Sequence, residues 1–281
     1  MKKRIAALAA TFVLWIVLFV LQKPAFLLMY AGGLTNIFPV IAHGLPLDLS
    51  VAGYMTAIPA LALTIGSLPF TCLHGERAER IFRCVLLAWA AIASTVVALA
   101  FVSNLALYSY WRFPLDATPV FFITSSPADA MASIAWWQAL LGVGATVFVA
   151  LGTFILFKKL YRYFGKDLFT ARPHKAEGLI MLLLTAFLFL PIRGGVTVSA
   201  MNTGKAYFSE NQTLNHAAVN PVLSFVENIA HQEDFAHQYR FMNDRVAHAT
   251  FQRFVRGIAP KGTRPINVLR TDSLPRPDIY L

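Results

Sequence analysis

Among the 281 residues, few side chains have the types and spacing that chemistry requires. Arg112-Phe113-Pro114-Leu115-Asp116-Ala117-Thr118-Pro119 puts one cation and one carboxylate in a loop stiffened by two prolines. A guanidinium grips phosphate through two parallel hydrogen bonds, so Arg112 with Asp116 is a candidate for holding a lipid headgroup or docking an external domain; a solvated turn with an Arg/Asp pair is the competing reading. Arg193, at the exit of an apolar run, is a second candidate phosphate ligand, or else a snorkelling interface anchor. His231, Asp234 and His237 follow one another at steps of three. Each step turns a helix by about 300°, which puts all three on one face with metal-ligand chemistry, although Glu233 and Gln238 fit a solvated face equally well. Asn211-Gln212-Thr213 matches a glycosylation acceptor, a pattern that also arises by chance. Cys72 and Cys84 have neither disulfide nor zinc spacing and read as small apolar residues.

The elements that must carry these groups are set by composition. With 57% hydrophobic and only 14% charged residues, the chain falls in the membrane class, and the bilayer is its main solvent. A net charge of +10 raises the question of nucleic acid, but the Lys and Arg residues sit between apolar runs and not among polar aromatics. Membrane topology explains them, and no nucleic-acid partner is expected. Residues 1–21 have the basic start and apolar core of a signal peptide. No small-residue cleavage site precedes Gln22-Lys23-Pro24, so an uncleaved anchor is expected.

A hydrocarbon core of about 30 Å needs roughly 20 residues of apolar helix. Residues 5–21, 51–73, 85–107, 138–157 and 178–192 meet or approach that length. Residues 25–47 are apolar but broken by Gly32, Gly33, Pro39, Gly44 and Pro46, which predicts a kinked extension of the first span and an interfacial segment; a sixth span there would reverse every later loop. Lys2, Lys3, Arg4, Arg77, Arg80, Arg83, Lys158, Lys159, Arg162, Lys166, Arg172 and Lys175 all fall on one side of a five-span arrangement, against Lys23 and Arg112 on the other. The positive-inside rule then places the N-terminus in the cytoplasm and everything after the fifth span outside. Tyr108, Tyr110, Trp111, Trp136 and Trp137 gather at the outer ends of spans three and four, as headgroup-layer aromatics or as plain apolar packing.

Inside the spans, Ser94, Thr95 and Asn104 are the polar groups, with essentially no charge near a midplane, which argues against an ion-coupled transporter. Gly142, Gly144 and Gly152 suggest close helix packing. After Gly194 the pattern becomes an amphipathic connector. Asn220-Pro221 is a cap and first turn ahead of a Val222, Phe225, Val226, Ile229 stripe, and a second helix is expected over residues 235–258. Residues 259–277 read as a proline-rich linker, and Arg276-Pro277-Asp278-Ile279-Tyr280-Leu281 begins to look like a buried strand, which predicts that the chain is the front part of something longer. The expected architecture is an all-α polytopic membrane protein: a five-helix transmembrane domain (1–193), an external helical connector (194–258), and a linker with the opening strand of a further domain (259–281).

Five spans, the outer loop Phe113-Pro114-Leu115-Asp116-Ala117-Thr118-Pro119, the connector Tyr207-Phe208-Ser209-Glu210-Asn211 through Asn220-Pro221-Val222, and Arg276-Pro277-Asp278-Ile279-Tyr280-Leu281 together resemble the lipoteichoic acid synthase-like, sulfatase-superfamily membrane proteins. The resemblance implies an external alkaline-phosphatase-like catalytic domain as the chain's partner. It also implies a divalent metal (Mn, Mg or Zn) and a nucleophilic threonine in that domain, and none in this chain. The whole protein would take a phospho-group from a membrane lipid in a bacterial-type inner or plasma membrane. A phosphoethanolamine donor, or sulfate or phosphate ester hydrolysis, fits the same superfamily; a non-catalytic scaffold or transporter component is the alternative of another class. This chain alone is expected to be inactive, with Arg112, Asp116 and Arg193 as its lipid-headgroup or domain-docking candidates.

Overall fold

A computed structural model describes residues 1–70, 75–125, 127–128, 134–165, 167–170, 175–196, 199–230 and 241–256. The protein is an all-α polytopic membrane protein with five membrane-spanning segments. The first three are α1 (Lys2–Tyr30), α2 (Ile37–Ile65) and α3 (Glu76–Trp111). The short α4 (Thr118–Ser125) precedes the fourth, α5 (Trp136–Phe164). After α6 (Asp167–Thr170), the fifth is built from α7 (Lys175–Phe187) and α8 (Phe189–Arg193). Its break at Leu188 has a local cause: Pro191 has no N–H to give the Phe187 carbonyl, and the Leu188 N–H closes a tighter turn on the Thr185 carbonyl at 3.2 Å.

The second span is displaced from its expected place. It runs from Ile37 to Ile65, not over residues 51–73, so the segment expected to lie at the interface is instead the first half of a spanning helix. Pro39 stands in the first turn, where its missing N–H is not needed, and Pro46 and Pro59 lie inside the helix, as lipid-embedded helices tolerate when neighbours pack around them. The first span does extend, as expected, through Pro24 to Tyr30, and the chain turns at Gly32 and Gly33, both at positive φ. Cys72 lies outside the described residues.

Helix α2 is the centre of the bundle and α5 its margin: 61% of the apolar window of α2 is buried by protein, against 11% of that of α5. Trp15 of α1 packs on Phe157 of α5 with ring centroids 4.4 Å apart, and Phe26 meets Tyr108 of α3 edge-on at 4.6 Å. Close backbone approach occurs at glycines other than those expected. A Cβ at Gly142, Gly144 or Gly152 would meet no atom within 4 Å, whereas one at Gly53 would fall 2.7 Å from Ile192 and one at Gly178 3.1 Å from the Ser67 carbonyl oxygen.

The two ends of the bundle differ in charge. At one end the Arg4 guanidinium donates to Glu177 Oε1 at 2.8 Å and to the Leu168 carbonyl at 2.5 Å, and Phe82 stacks on Phe169 at 4.5 Å. These contacts gather the start of α1, the start of α3, α6 and the start of α7, so Lys2, Lys3, Arg4, Arg77, Arg80 and Arg83 share one end. At the other end a cap is formed by a 3₁₀ turn (Thr203–Ala206), α9 (Gln212–Ala218) and α10 (Pro221–Ala230). The compact unit therefore runs past Arg193 to Gln232, and the first half of the expected connector is part of the bundle. A second unit covers residues 233–281; within its described residues, α11 (Asp244–Arg256) overlaps the helix expected over residues 235–258. His231, Asp234, His237 and the whole of 259–281 lie outside the described residues.

Candidate functional site

The cap is fastened to the spans by buried charge. Lys23 of α1 and Asp48 of α2 are 3% and 0% exposed, so bulk water does not solvate either charge. Lys23 stands about 10 Å below the top of α1 and Asp48 about 16 Å below the start of α2, a height difference that the long lysine side chain spans. The Lys23 Nζ lies 3.1 Å from Asp48 Oδ2 and donates to Oδ1 at 3.4 Å. It also donates to the Ala218 carbonyl at the end of α9 at 3.0 Å.

Asn220 completes the arrangement from above. Its Nδ2 donates to Asp48 Oδ1 at 2.9 Å, while its Oδ1 accepts from the N–H groups of Val222 and Leu223 at 3.0 and 3.4 Å. One side chain thus caps the first turn of α10 and binds the buried carboxylate, and Pro221 at the first helical position leaves no N–H unpaired. The expected cap at Asn220-Pro221 is present, and it has a second partner that local sequence does not reveal. Among the described residues no hydrogen bond of good angle reaches Asp48 Oδ2 or Gln22 Oε1. Both residues line a cavity of about 20 Å³, room for one water, with Phe26, Asn104, His216 and Val219.

The remainder of the cap is stitched by polar side chains. Buried Asn215 accepts from the N–H groups of Phe208 and Ser209, both at 2.9 Å, and returns a bond to the Ser209 carbonyl at 2.7 Å. Glu227 accepts from the Thr203 N–H at 2.9 Å. Asn211 of the glycosylation-type triplet accepts from the Thr213 N–H at 3.0 Å and so caps α9. Tyr108 OH and His216 Nδ1 share a hydrogen bond at 3.0 Å, and His43 stacks on Phe208 at 4.4 Å.

Burial lowers the pKa of His216 below its usual value. The unfolded chain takes up a proton at about pH 6.5 and the folded cap only at lower pH, so between those two points the unfolded state binds more protons and stability falls as pH falls. Amide exchange over residues 212–218, corrected for intrinsic rate, is expected to accelerate from about pH 7.5 to about pH 5.5, and His216→Gln to flatten that trend. Equal slopes in the two proteins would remove His216 as the cause.

The three residues singled out from sequence lie elsewhere. Arg112 is the exposed residue that ends α3 in the left-handed conformation, with φ of 58° and its N–H on the Tyr108 carbonyl. Asp116 is engaged: its Oδ1 accepts from the Thr118 N–H at 3.0 Å and its Oδ2 from the Thr118 hydroxyl at 2.7 Å, which caps α4. Arg193, half-buried at the end of α8, accepts at its carbonyl from the Met201 N–H at 2.9 Å. Among the described residues no hydrogen bond or ion pair joins Arg193 to Arg112 or Asp116, or Arg112 to Asp116.

Sequence reasoning gave Lys23 and Asp48 no place in a site and saw Asn220 as a helix cap alone, because the expected span limits left Lys23 and Asp48 outside the hydrocarbon. A usable signal was present: one isolated cation and one isolated carboxylate in consecutive apolar segments, which must find each other when the helices fold into a hairpin. Among the described residues no group of three or more His, Cys, Asp or Glu side chains is placed to hold a metal ion. No family model, curated protein or solved structure matches this chain.

Proposed function

We propose that this chain is the membrane-anchoring and lipid-positioning part of a lipoteichoic acid synthase-like phosphoglycerol transferase or a related sulfatase-family enzyme. It sits in a bacterial-type inner or plasma membrane, with the basic end cytoplasmic and the capped end outside. The observation that carries this reading is the latch of Lys23, Asp48 and Asn220. A segment following five spans is tied to buried charge and not left as a loose tether, so the start of α10 holds a fixed place on the bundle. A phospholipid presents its phosphate in the headgroup plane, and a domain held there meets it at high effective concentration and in restricted orientation. The concentration of basic residues at the opposite end supports the orientation.

In this reading the metal and nucleophile belong to the catalytic domain, and this chain contributes placement. Arg112 and Arg193 remain the candidates for meeting the headgroup, whereas Asp116 serves the loop by capping α4. Buried charge inside the bundle also gives some support to the transporter alternative, but the cavity beside it holds no more than about one water.

The test is made on the complete reading frame, reconstituted with Mn²⁺ and supplied in turn with phosphatidylglycerol, phosphatidylethanolamine, and a soluble phosphate or sulfate ester. Diacylglycerol release from phosphatidylglycerol is expected. Preference for phosphatidylethanolamine or the ester moves the reaction within the superfamily, and no turnover of any of them rejects the enzyme reading in favour of a scaffold or transporter component. Combined Arg112→Ala and Arg193→Ala is expected to raise the apparent lipid KM by about tenfold or more with kcat unchanged, the loss of at least one charge-assisted hydrogen bond. An unchanged KM takes both arginines out of the lipid path.

A further inference from the structure

The chain does not rise away from the bundle after α3. The Leu115 N–H donates to Asn104 Oδ1 at 2.9 Å, and both residues are buried. Asn104 precedes Trp111, the last residue of α3, by seven positions. At a rise of about 1.5 Å per residue, the loop has come back about 10 Å along the helix it has just left. Asn104 also belongs to the apolar run that crosses the bilayer. Helix α4, which starts three residues after Leu115, therefore begins beside the span and not above it.

Helix α4 reads Thr-Pro-Val-Phe-Phe-Ile-Thr-Ser, and none of its side chains is buried by protein. Val120, Phe121, Phe122 and Ile123 are consecutive and between 41% and 62% exposed. A helix apolar around its whole circumference needs an apolar surrounding on every side. Among the described residues, protein does not provide it. The helix's polar groups are also closed on themselves. Asp116 takes the N–H and hydroxyl of Thr118, the Thr124 hydroxyl donates to the Val120 carbonyl at 2.8 Å, and the Ser125 hydroxyl donates to the Phe121 carbonyl at 2.7 Å. In water those hydroxyls gain nothing by turning inward, whereas in hydrocarbon every donor must find a partner within the protein. Trp136 and Trp137, both exposed at the start of α5, mark the headgroup layer that indole rings favour.

We propose that α4 is inserted at the acyl–headgroup boundary of the bilayer, with phospholipid as the partner of its exposed faces. The inference stands on the membrane-spanning architecture alone and is independent of the transferase reading. It assigns the loop between the third and fourth spans to the lipid itself, where the sequence suggested a site for a single headgroup or for an external domain on Arg112 and Asp116.

Spin labelling in vesicles of phosphatidylcholine and phosphatidylglycerol tests it on the full chain, with Cys72 and Cys84 replaced by serine. A label is placed in turn by Phe122→Cys, by Val147→Cys on the exposed face of α5 as the lipid reference, and by Glu210→Cys in the cap as the water reference. Ile123→Cys replaces Phe122→Cys if the latter fails to fold. The label on α4 is expected to match position 147, with high accessibility to oxygen and low accessibility to an aqueous nickel chelate. Matching position 210 overturns the proposal by putting α4 in water. Low accessibility to both reagents overturns it by showing that protein covers the helix.

Discussion

Asp48→Ala is expected to lower the free energy of unfolding by about 3–5 kcal/mol, the cost of leaving a buried charge without its partner. The site offers Lys23 little compensation. Its ammonium is 3% exposed, and with the carboxylate gone it keeps the Ala218 carbonyl, at 3.0 Å, as its one close acceptor among the described residues. Asn220 loses the acceptor for its Nδ2 at the same time, so the cap is weakened from both sides of the latch. The measurement is reversible denaturation in detergent, read together with hydrogen exchange over residues 212–223. A loss below about 0.5 kcal/mol would show that the pair does not hold the cap. Joint replacement by Lys23→Met and Asp48→Leu separates charge from packing. Removing both charges is expected to recover much of the loss, because the attraction inside a buried pair is largely offset by the cost of taking two ions out of water.

The spans were legible to the extent that their apolar runs were unbroken. Residues 5–21, 85–107 and 138–157 each lie inside a helix that extends beyond them, since backbone hydrogen bonding carries a lipid-embedded helix to the headgroup layer whatever its side chains. The second span was misplaced because Pro39, Gly44 and Pro46 read as punctuation, a sound rule in water that weakens where neighbours close around the helix. Gly44 is there for contact with the cap at Ala218, a partner 174 residues later in sequence that no local pattern indicates. The latch was illegible for the same reason: Asp48 and Asn220 are 172 residues apart. Asn220 itself was legible as a cap, because that role is played within its own turn. Conversely, Gly142, Gly144 and Gly152 have the spacing of a packing motif but face no neighbour, and spacing alone does not say which face of a marginal helix is covered.

Gly44→Ala should separate the cap from the bundle without removing any charge. A Cβ at this position would fall on the Ala218 carbonyl oxygen and on Lys23 Nζ, with Lys23 Cε at 2.9 Å. The lysine end is flexible and can swing aside, but a backbone carbonyl cannot move without taking the end of α9 with it. Ala in place of Gly favours the helix by up to about 1 kcal/mol, and overpacking costs about 1–3 kcal/mol, so with the full helix gain the net effect is a loss of up to about 2 kcal/mol. Gly44→Val adds bulk at the same point and is expected to lose more. The distinguishing readout is local: amide protection over residues 212–223 should fall toward that of an undocked segment while α1, α3 and α5 keep theirs. Gly144→Ala is the matched control, since a Cβ there meets no atom within 4 Å and only helix propensity changes. If Gly44→Ala behaves as Gly144→Ala does, with cap protection intact, the cap does not rest on Gly44.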